Sequence, residues 1–331
     1  MDDIRHKVIS RSPKFIDRLR LFIRSRQLAY ETEKTYVYWT LFYIRFHHKQ
    51  HPEKMGKAQV EEFLSYLANT RNSSKSTQKT ALNALIFLYR EFMKIDLGLL
   101  SFNLSTKHRR IPVVFSKEEA LNVIDNLHGL SKAMAILMYG SGLRTSEVCA
   151  LRVKDIDFGM NQIIVRQGKG NKERTTLLPQ SVIHFLKQQV EKVQKLHRSD
   201  IAAGYGEVYL PDALCKKYPN ANKETAWQFL FPSSRIAKDP RSGEMRRHHI
   251  HRTVLQRNVK AAIRKSKIHK HASCHTFRHS FATELLIGGY DIRTIQKLMG
   301  HSDVTTTEIY THVINQGGMG VKSPADLIQL S

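Results

Sequence analysis

Apolar residues recur at helical spacing through the first part of the chain. Phe15, Leu19, Phe22 and Ile23 share one helical face, after a Ser12-Pro13 start signal. Tyr36, Tyr43 and Ile44 mark a second helix, and Val60, Phe63, Leu64 and Leu67 a third. Leu82, Leu85, Ile86, Tyr89 and Met93 place a fourth. Their outer faces are basic, and aromatic residues at these spacings pack a core more often than they stack on bases. From Ser101 to Pro112 the periodicity lapses, and Lys107-His-Arg-Arg110 is a basic run. The pattern predicts a helical unit over 1–105 and a linker over 106–112, which either lies along phosphates or is simply solvated.

The pattern over 113–331 is mixed. Ser116-Lys-Glu-Glu119 is a capping box that opens a helix. Lys132 to Tyr139 is an apolar helix broken at Gly140-Ser-Gly142. Gln162–Gln167 and Glu173–Leu178 read as strands of a hairpin with the basic tip Gly168-Lys-Gly-Asn-Lys172. Ile183, Leu186, Val190 and Val193 then lie along a long helix, and helices resume near Ile250. The whole predicts a two-domain, mainly α protein whose second domain is α+β with a small antiparallel sheet.

Composition changes the picture in one direction. The chain has 331 residues, 41% of them hydrophobic, so two cores can be buried. Against 29 Asp and Glu stand 53 Lys and Arg, a net charge of +24 spread through the periodic segments. That distribution fits a folded surface for nucleic acid. Three scattered cysteines, Cys149, Cys215 and Cys274, offer no disulfide framework and fit a reducing compartment. The first ten residues lack the apolar run of a signal peptide, and no stretch has the ~18 apolar residues of a membrane span. A cytoplasmic protein with no membrane partner is expected.

Four separated segments carry groups suited to phosphoryl transfer. Arg144 follows the Gly142 turn, where a guanidinium can grip a phosphate by two bonds, and Glu147 stands three residues on, where it can orient an arginine. Lys169 sits on the hairpin tip, within reach of a leaving-group oxygen. His275-Thr-Phe-Arg278-His279 places His275 and Arg278 on one helical face. Leu298-Met-Gly300-His301 is followed, nine residues later, by Tyr310. Each alone has an ordinary reading: a surface Arg–Glu pair, a solvated turn lysine, a basic helix, a packing tyrosine. Basic neighbours in the His248, His249, His251, His269, His271 stretch disfavour a metal ion there.

Together and in this order, the four segments resemble the tyrosine recombinase (phage integrase) family over essentially the whole chain. The resemblance implies a SAM-like, core-binding DNA-binding domain followed by a catalytic domain. It implies Arg144, Lys169, His275, Arg278 and His301 as catalytic residues and Tyr310 as the nucleophile that forms a 3′-phosphotyrosine. No metal, other cofactor or ATP is implied. Phe277 and Met299 are mild departures from the family's boxes.

The segment of about 208–250, with Leu210-Pro-Asp-Ala-Leu214, Trp227-Gln-Phe-Leu-Phe-Pro232 and Arg246-Arg-His-His249, is longer than in ordinary members. It resembles the extra helical insertion of integron integrases, which excise and insert gene cassettes. The resemblance implies Trp227, Pro240, His248 and His249 as contacts to bases that protrude from folded single-stranded cassette sites, and an integron attachment site as the second DNA partner. From the residues alone, Trp227 serves equally as core and the histidines as phosphate contacts. Ser323 to Leu330 reads as a short amphipathic helix; in the family such a tail, here 322–331, docks on a neighbour in a homotetramer on two DNA sites. A nucleoid-associated enzyme is the corresponding expectation. The competing readings are a duplex-site recombinase of phage or chromosome-dimer-resolution type, a type IB topoisomerase, and a DNA-binding protein without catalysis.

Overall fold

The computed structural model describes residues 14–106, 112–166, 173–210, 217–239 and 243–316. Lys169, Cys215, Pro240 and the tail 322–331 lie outside the described residues. The chain separates into two compact units that part at Arg110 and Ile111.

The first unit holds helices α1 (Phe15–Ser25), α2 (Tyr30–Phe46), α3 (Lys57–Asn69) and α4 (Lys75–Ile86). Their apolar stripes meet as the periodicity predicts: Leu19, Ile23, Tyr43, Val60, Phe63, Leu64, Leu67 and Leu85 are all buried. Glu33 is fully buried in this core, held by Arg24 through two bonds of 2.9 and 3.0 Å and by Arg20 at 3.1 Å. The fourth helix departs from expectation. It continues as a π-helical stretch, Phe87–Met93, whose wider turn shifts the inward face. Leu88 and Tyr89 therefore point into the core, and Ile86, predicted on that face, is exposed. Residues 101–105, which lack periodicity, are nevertheless fixed: Gln78 donates to Leu64 O and Asn103 O and accepts from Ser105 N.

In the second unit α6 (Gly129–Ser141) runs through the core. Around it stand α5 (Lys117–Asp125), α8 (Gln180–Ala202), α9 (Arg252–Lys265) and α10 (Cys274–Ile287). Ser116 caps α5 as predicted, its hydroxyl accepting from Glu119 N while Glu119 accepts from Ser116 N. Helix α6 passes through Gly140 and stops only at Gly142, which takes the left-handed conformation at φ 63°. A Cβ there would stand 2.5 Å from the Phe281 ring, so the chain can turn and pack at this point only as glycine. After α7 (Thr145–Ala150) come β1 (Ile156–Asp157), β2 (Gln162–Val165) and β3 (Arg174–Leu177) in an antiparallel sheet of order β1-β2-β3. Val165 pairs with Arg174 at the base of the predicted hairpin. Helices α11 (Ile292–Met299) and α12 (Thr305–Gln316) close the described chain. Cys149 and Cys274 are buried free thiols.

The insertion is built differently from the helices around it. Its described residues hold short 3-10 turns at Ala221–Lys223 and Thr225–Trp227 and a two-stranded antiparallel ribbon, β4 (Pro232–Lys238) with β5 (Met245–His249). The described part of the insertion therefore joins short helical turns to a strand ribbon. Neither strand has an inward face of fully buried residues, so hydrophobic alternation could not announce it. Backbone bonds from Leu230 N to Leu151 O and from Val153 N to Gln228 O stitch the segment to the chain just after α7.

Candidate active site

Two glycine turns frame the site. The first, at Gly142, delivers Leu143 into the core and puts Arg144 at the N-terminus of α7. The second, Gly300 with φ 63°, ends α11 and delivers His301. Arg278, in the first turns of α10, bridges them: it donates to Gly142 O with one Nη and to Met299 O with the other, the latter at 2.5 Å. It is 2% exposed, and burial and the charge of Arg144 lower its pKa to about 9. It stays protonated at neutral pH.

The second Nη of Arg278 also lies 3.1 Å from His301 Nε2. A guanidinium has only hydrogens to give, so Nε2 must accept and the ring proton resides on Nδ1, facing Thr307 Oγ1 at 2.9 Å. Burial, then the charges of Arg278 and Arg144, lower the His301 pKa to about 3, which suits that neutral tautomer.

Beneath the arginines lies Glu147. Its carboxylate takes Arg144 N at 2.8 Å and Arg144 Nη1 at 2.6 Å. It also takes both Nη atoms of Arg174, at 2.9 and 2.7 Å. Burial alone would raise its pKa; the hydrogen bonds and charge of Arg174, then those of Arg144, overcome this and hold it near 2. Glu147 thus meets Arg144, and it also meets a second arginine that the sequence reading missed. Arg174 faces inward with Thr176 on β3, while Thr175 and Leu177 are exposed. An arginine at an inward strand position needs a carboxylate, and that was the available signal.

Tyr310 lies on α12, 2% exposed, in a small core with Phe281, Ala282, Ile295 and Met299. Its ring is nearly parallel to His301, at 6.5 Å between centroids. Its hydroxyl is 2.8 Å from His279 Nδ1. Burial raises its pKa to about 12 against the opposing pull of Arg278 and Arg144. Burial, with the charges of His275 and Arg278, lowers His279 to about 4. His279 is the other residue overlooked. It follows Arg278 directly and stands four residues from His275, one helical turn, which could have drawn notice. His275 itself is exposed at the start of α10, its ring 5.4 Å from that of His279.

Arg144, Arg278, His301 and Tyr310 therefore converge, with Glu147 beneath them and His275 joined to Tyr310 through His279. The insertion residues gather elsewhere. Trp227 packs partly buried against Val208, Leu210, Ala221 and Phe229, with the Lys154 ammonium against its ring. His248 and His249, 4.1 Å apart, each lie 5.1 Å from the Phe229 ring. Arg152 holds this group from below, donating to Trp227 O and to Tyr209 O at 2.9 Å.

Residues 114–316 match the model of the phage integrase family, and 15–99 that of the phage integrase N-terminal SAM-like domain. An integrase/recombinase of Escherichia coli is 46% identical over 96% of this chain and 95% of its own length. The tyrosine recombinase XerD of Staphylococcus saprophyticus is 29% identical over 80% of each chain. Among solved structures, XerH bound to palindromic difH substrate in a post-cleavage complex shares the fold with a TM-score of 0.59, 19% identity, and 93% and 85% of the two chains covered. The Tn1549 transposon integrase with transposon right-end DNA also reaches 0.59, at 15% identity over 92% and 99%. Among the described residues no helix is long and apolar enough to cross a membrane. The two matched models span both units and the converging arginine, histidine and tyrosine side chains: the chain belongs to the phage integrase family of tyrosine site-specific recombinases, which cleave and rejoin DNA.

Proposed function

We propose that this recombinase is an integron integrase that inserts and excises gene cassettes and selects folded single-stranded cassette sites by their unpaired bases. The observation that supports this reading is the aromatic and imidazole cluster of the insertion. Trp227, His248 and His249 surround Phe229 on a segment anchored directly behind the Arg144 helix. Flat π-faces held on a rigid support suit bases that have left the stack. Lys154 and, farther off, Arg152 lie over the Trp227 ring, so a base stacks there by displacing the ammonium toward a phosphate. Pro240 completes the proposed set of base contacts. Four copies on two DNA sites, linked by exchange of the 322–331 tail, form the proposed working assembly.

In the proposed chemistry Arg144 and Arg278 neutralise the charge that grows on the non-bridging oxygens, aided by His275, while His301 holds the Arg278 guanidinium through Nε2. The Tyr310 oxygen bonds to phosphorus, the bond from phosphorus to the 5′ oxygen breaks, and Lys169 protonates that oxygen. His279 Nδ1 takes the tyrosine proton. The phenol is a poor nucleophile at a pKa near 12, but its proton becomes strongly acidic as the new ester bond forms, so a weak neutral base suffices. His279→Phe is accordingly expected to slow single-turnover cleavage by about 10² or more, with a smaller loss for His279→Gln, which keeps a polar partner for the hydroxyl. Equal rates for His279→Phe and wild type would remove His279 from the proton path.

The test of substrate choice compares binding to the folded bottom strand of a cassette site with binding to the same site as duplex. Tighter folded-strand binding is expected, and Trp227→Ala should lose cassette recombination while still cleaving a simple duplex site. Equal or tighter duplex binding by wild type would favour the second reading, a duplex-site recombinase. That reading draws support from the XerD relatives.

A further inference from the structure

Arg174 has no part in the chemistry above, yet it touches three parts of the site. Its side chain is 9% exposed and its two Nη atoms fork across both oxygens of Glu147. Its Nε donates to Leu298 O at 2.9 Å, in the turn that carries His301. Its Cδ lies so close beneath Gly300 that a Cβ there would approach to 2.7 Å.

The fork matters because Glu147 serves two guanidiniums unequally. Arg174 has the two-bond geometry, whereas the side chain of Arg144 has a single bond, Nη1 to Oε1. A buried carboxylate beside one guanidinium alone closes a two-bond pair with it, because that geometry is the strongest open to both groups. Arg278 Nη1 lies 3.9 Å from Glu147 but is committed to Gly142 O, so without Arg174 the carboxylate would close that pair with Arg144 and consume the hydrogens a phosphate needs. Among the described residues Arg144 Nη2 has only a long contact to Gly300 O, 3.5 Å, and is easily turned.

We propose that Arg174 is a positioning residue for the reaction: by occupying the fork of Glu147 it keeps the second edge of Arg144 open to the scissile phosphate. Its bond to Leu298 O also ties down the turn that carries His301. The inference rests on the assignment of Arg144 to the phosphate made above, and the test separates the two.

The probe is a nicked suicide substrate, on a site that wild type cleaves, made either with an ordinary scissile phosphodiester or with a methylphosphonate there. The methylphosphonate has no charge to neutralise, so it does not need Arg144 in an open conformation. Single-turnover cleavage is followed for wild type, Arg144→Ala, Arg174→Gln and Arg174→Lys. On the phosphodiester, Arg174→Gln is expected to lose about 10²-fold, comparable to loss of a charge-stabilising donor. On the methylphosphonate it should fall within a few-fold of wild type, as should Arg144→Ala. Arg174→Lys keeps the charge without the fork and should show a smaller phosphodiester defect, relieved in the same way; it carries the test should the glutamine variant fail to fold. An Arg174 defect of the same size on both substrates, with Arg144→Ala relieved, makes Arg174 a purely structural residue and overturns the proposal. No defect on either substrate also overturns it. If Arg144→Ala is not relieved, the fault lies with the phosphate assignment itself.

Discussion

Tyr310→Phe is expected to bind DNA like wild type and to form no covalent adduct with a suicide substrate. The ring sits 2% exposed among Phe281, Ile295 and Met299, and phenylalanine fills the same space. What is lost is one hydroxyl and its 2.8 Å contact with His279 Nδ1. Losing that contact costs about 1–3 kcal/mol, too little to dissolve a site built on four other elements. The oxygen that would bond to phosphorus is gone, however, so the chemical loss is complete. The measurement is a denaturing gel on which wild type leaves a protein–DNA band resistant to boiling in detergent. A band of wild-type strength from the phenylalanine variant would show that another residue is the nucleophile and would end the catalytic assignment.

Arg278→Ala is expected to combine two losses, and comparison with Arg144→Ala separates them. Both variants should cleave about 10²–10³ times more slowly, because each removes a donor proposed to meet developing charge. Only Arg278 is also a structural clasp, donating to Gly142 O and Met299 O from a nearly closed environment. Each carbonyl left buried without a donor costs about 1–3 kcal/mol. The Arg278 variant should therefore melt several degrees below Arg144→Ala, whose guanidinium is partly exposed and whose loss leaves Glu147 still paired with Arg174. Arg278→Lys should recover part of the charge but little of the stability, since an ammonium lacks the fork that spans two turns. Equal melting of the two alanine variants would contradict the clasp.

Much of this site was legible because its parts differ chemically from their surroundings. A guanidinium after a glycine turn, an imidazole after another and a tyrosine at a fixed distance stand out even when each has an ordinary explanation. The helices of the first unit were legible from apolar spacing until the π-helical stretch changed the period, and there Ile86 and Leu88 exchanged roles. Arg174 and His279 escaped notice for a different reason. Each is a basic residue in a basic chain, and only packing shows which carboxylate or hydroxyl it meets. The ribbon of β4 and β5 was hidden because its strands have no fully buried side. The grouping of Trp227 and His248 around Phe229 depends on pairing across that ribbon, which no local pattern encodes.

Helix α12 bears both Tyr310 and Thr307, the residue that meets His301 Nδ1. The proposed attacking group and the latch on the His301 imidazole therefore travel on one rigid body. Undocking that body would silence the centre in a single move: the oxygen would leave, and His301 would be free to rotate or change tautomer. A copy holding DNA in that state would be inert rather than slow, with no half-assembled pocket in which water replaces the tyrosine and leaves a broken strand.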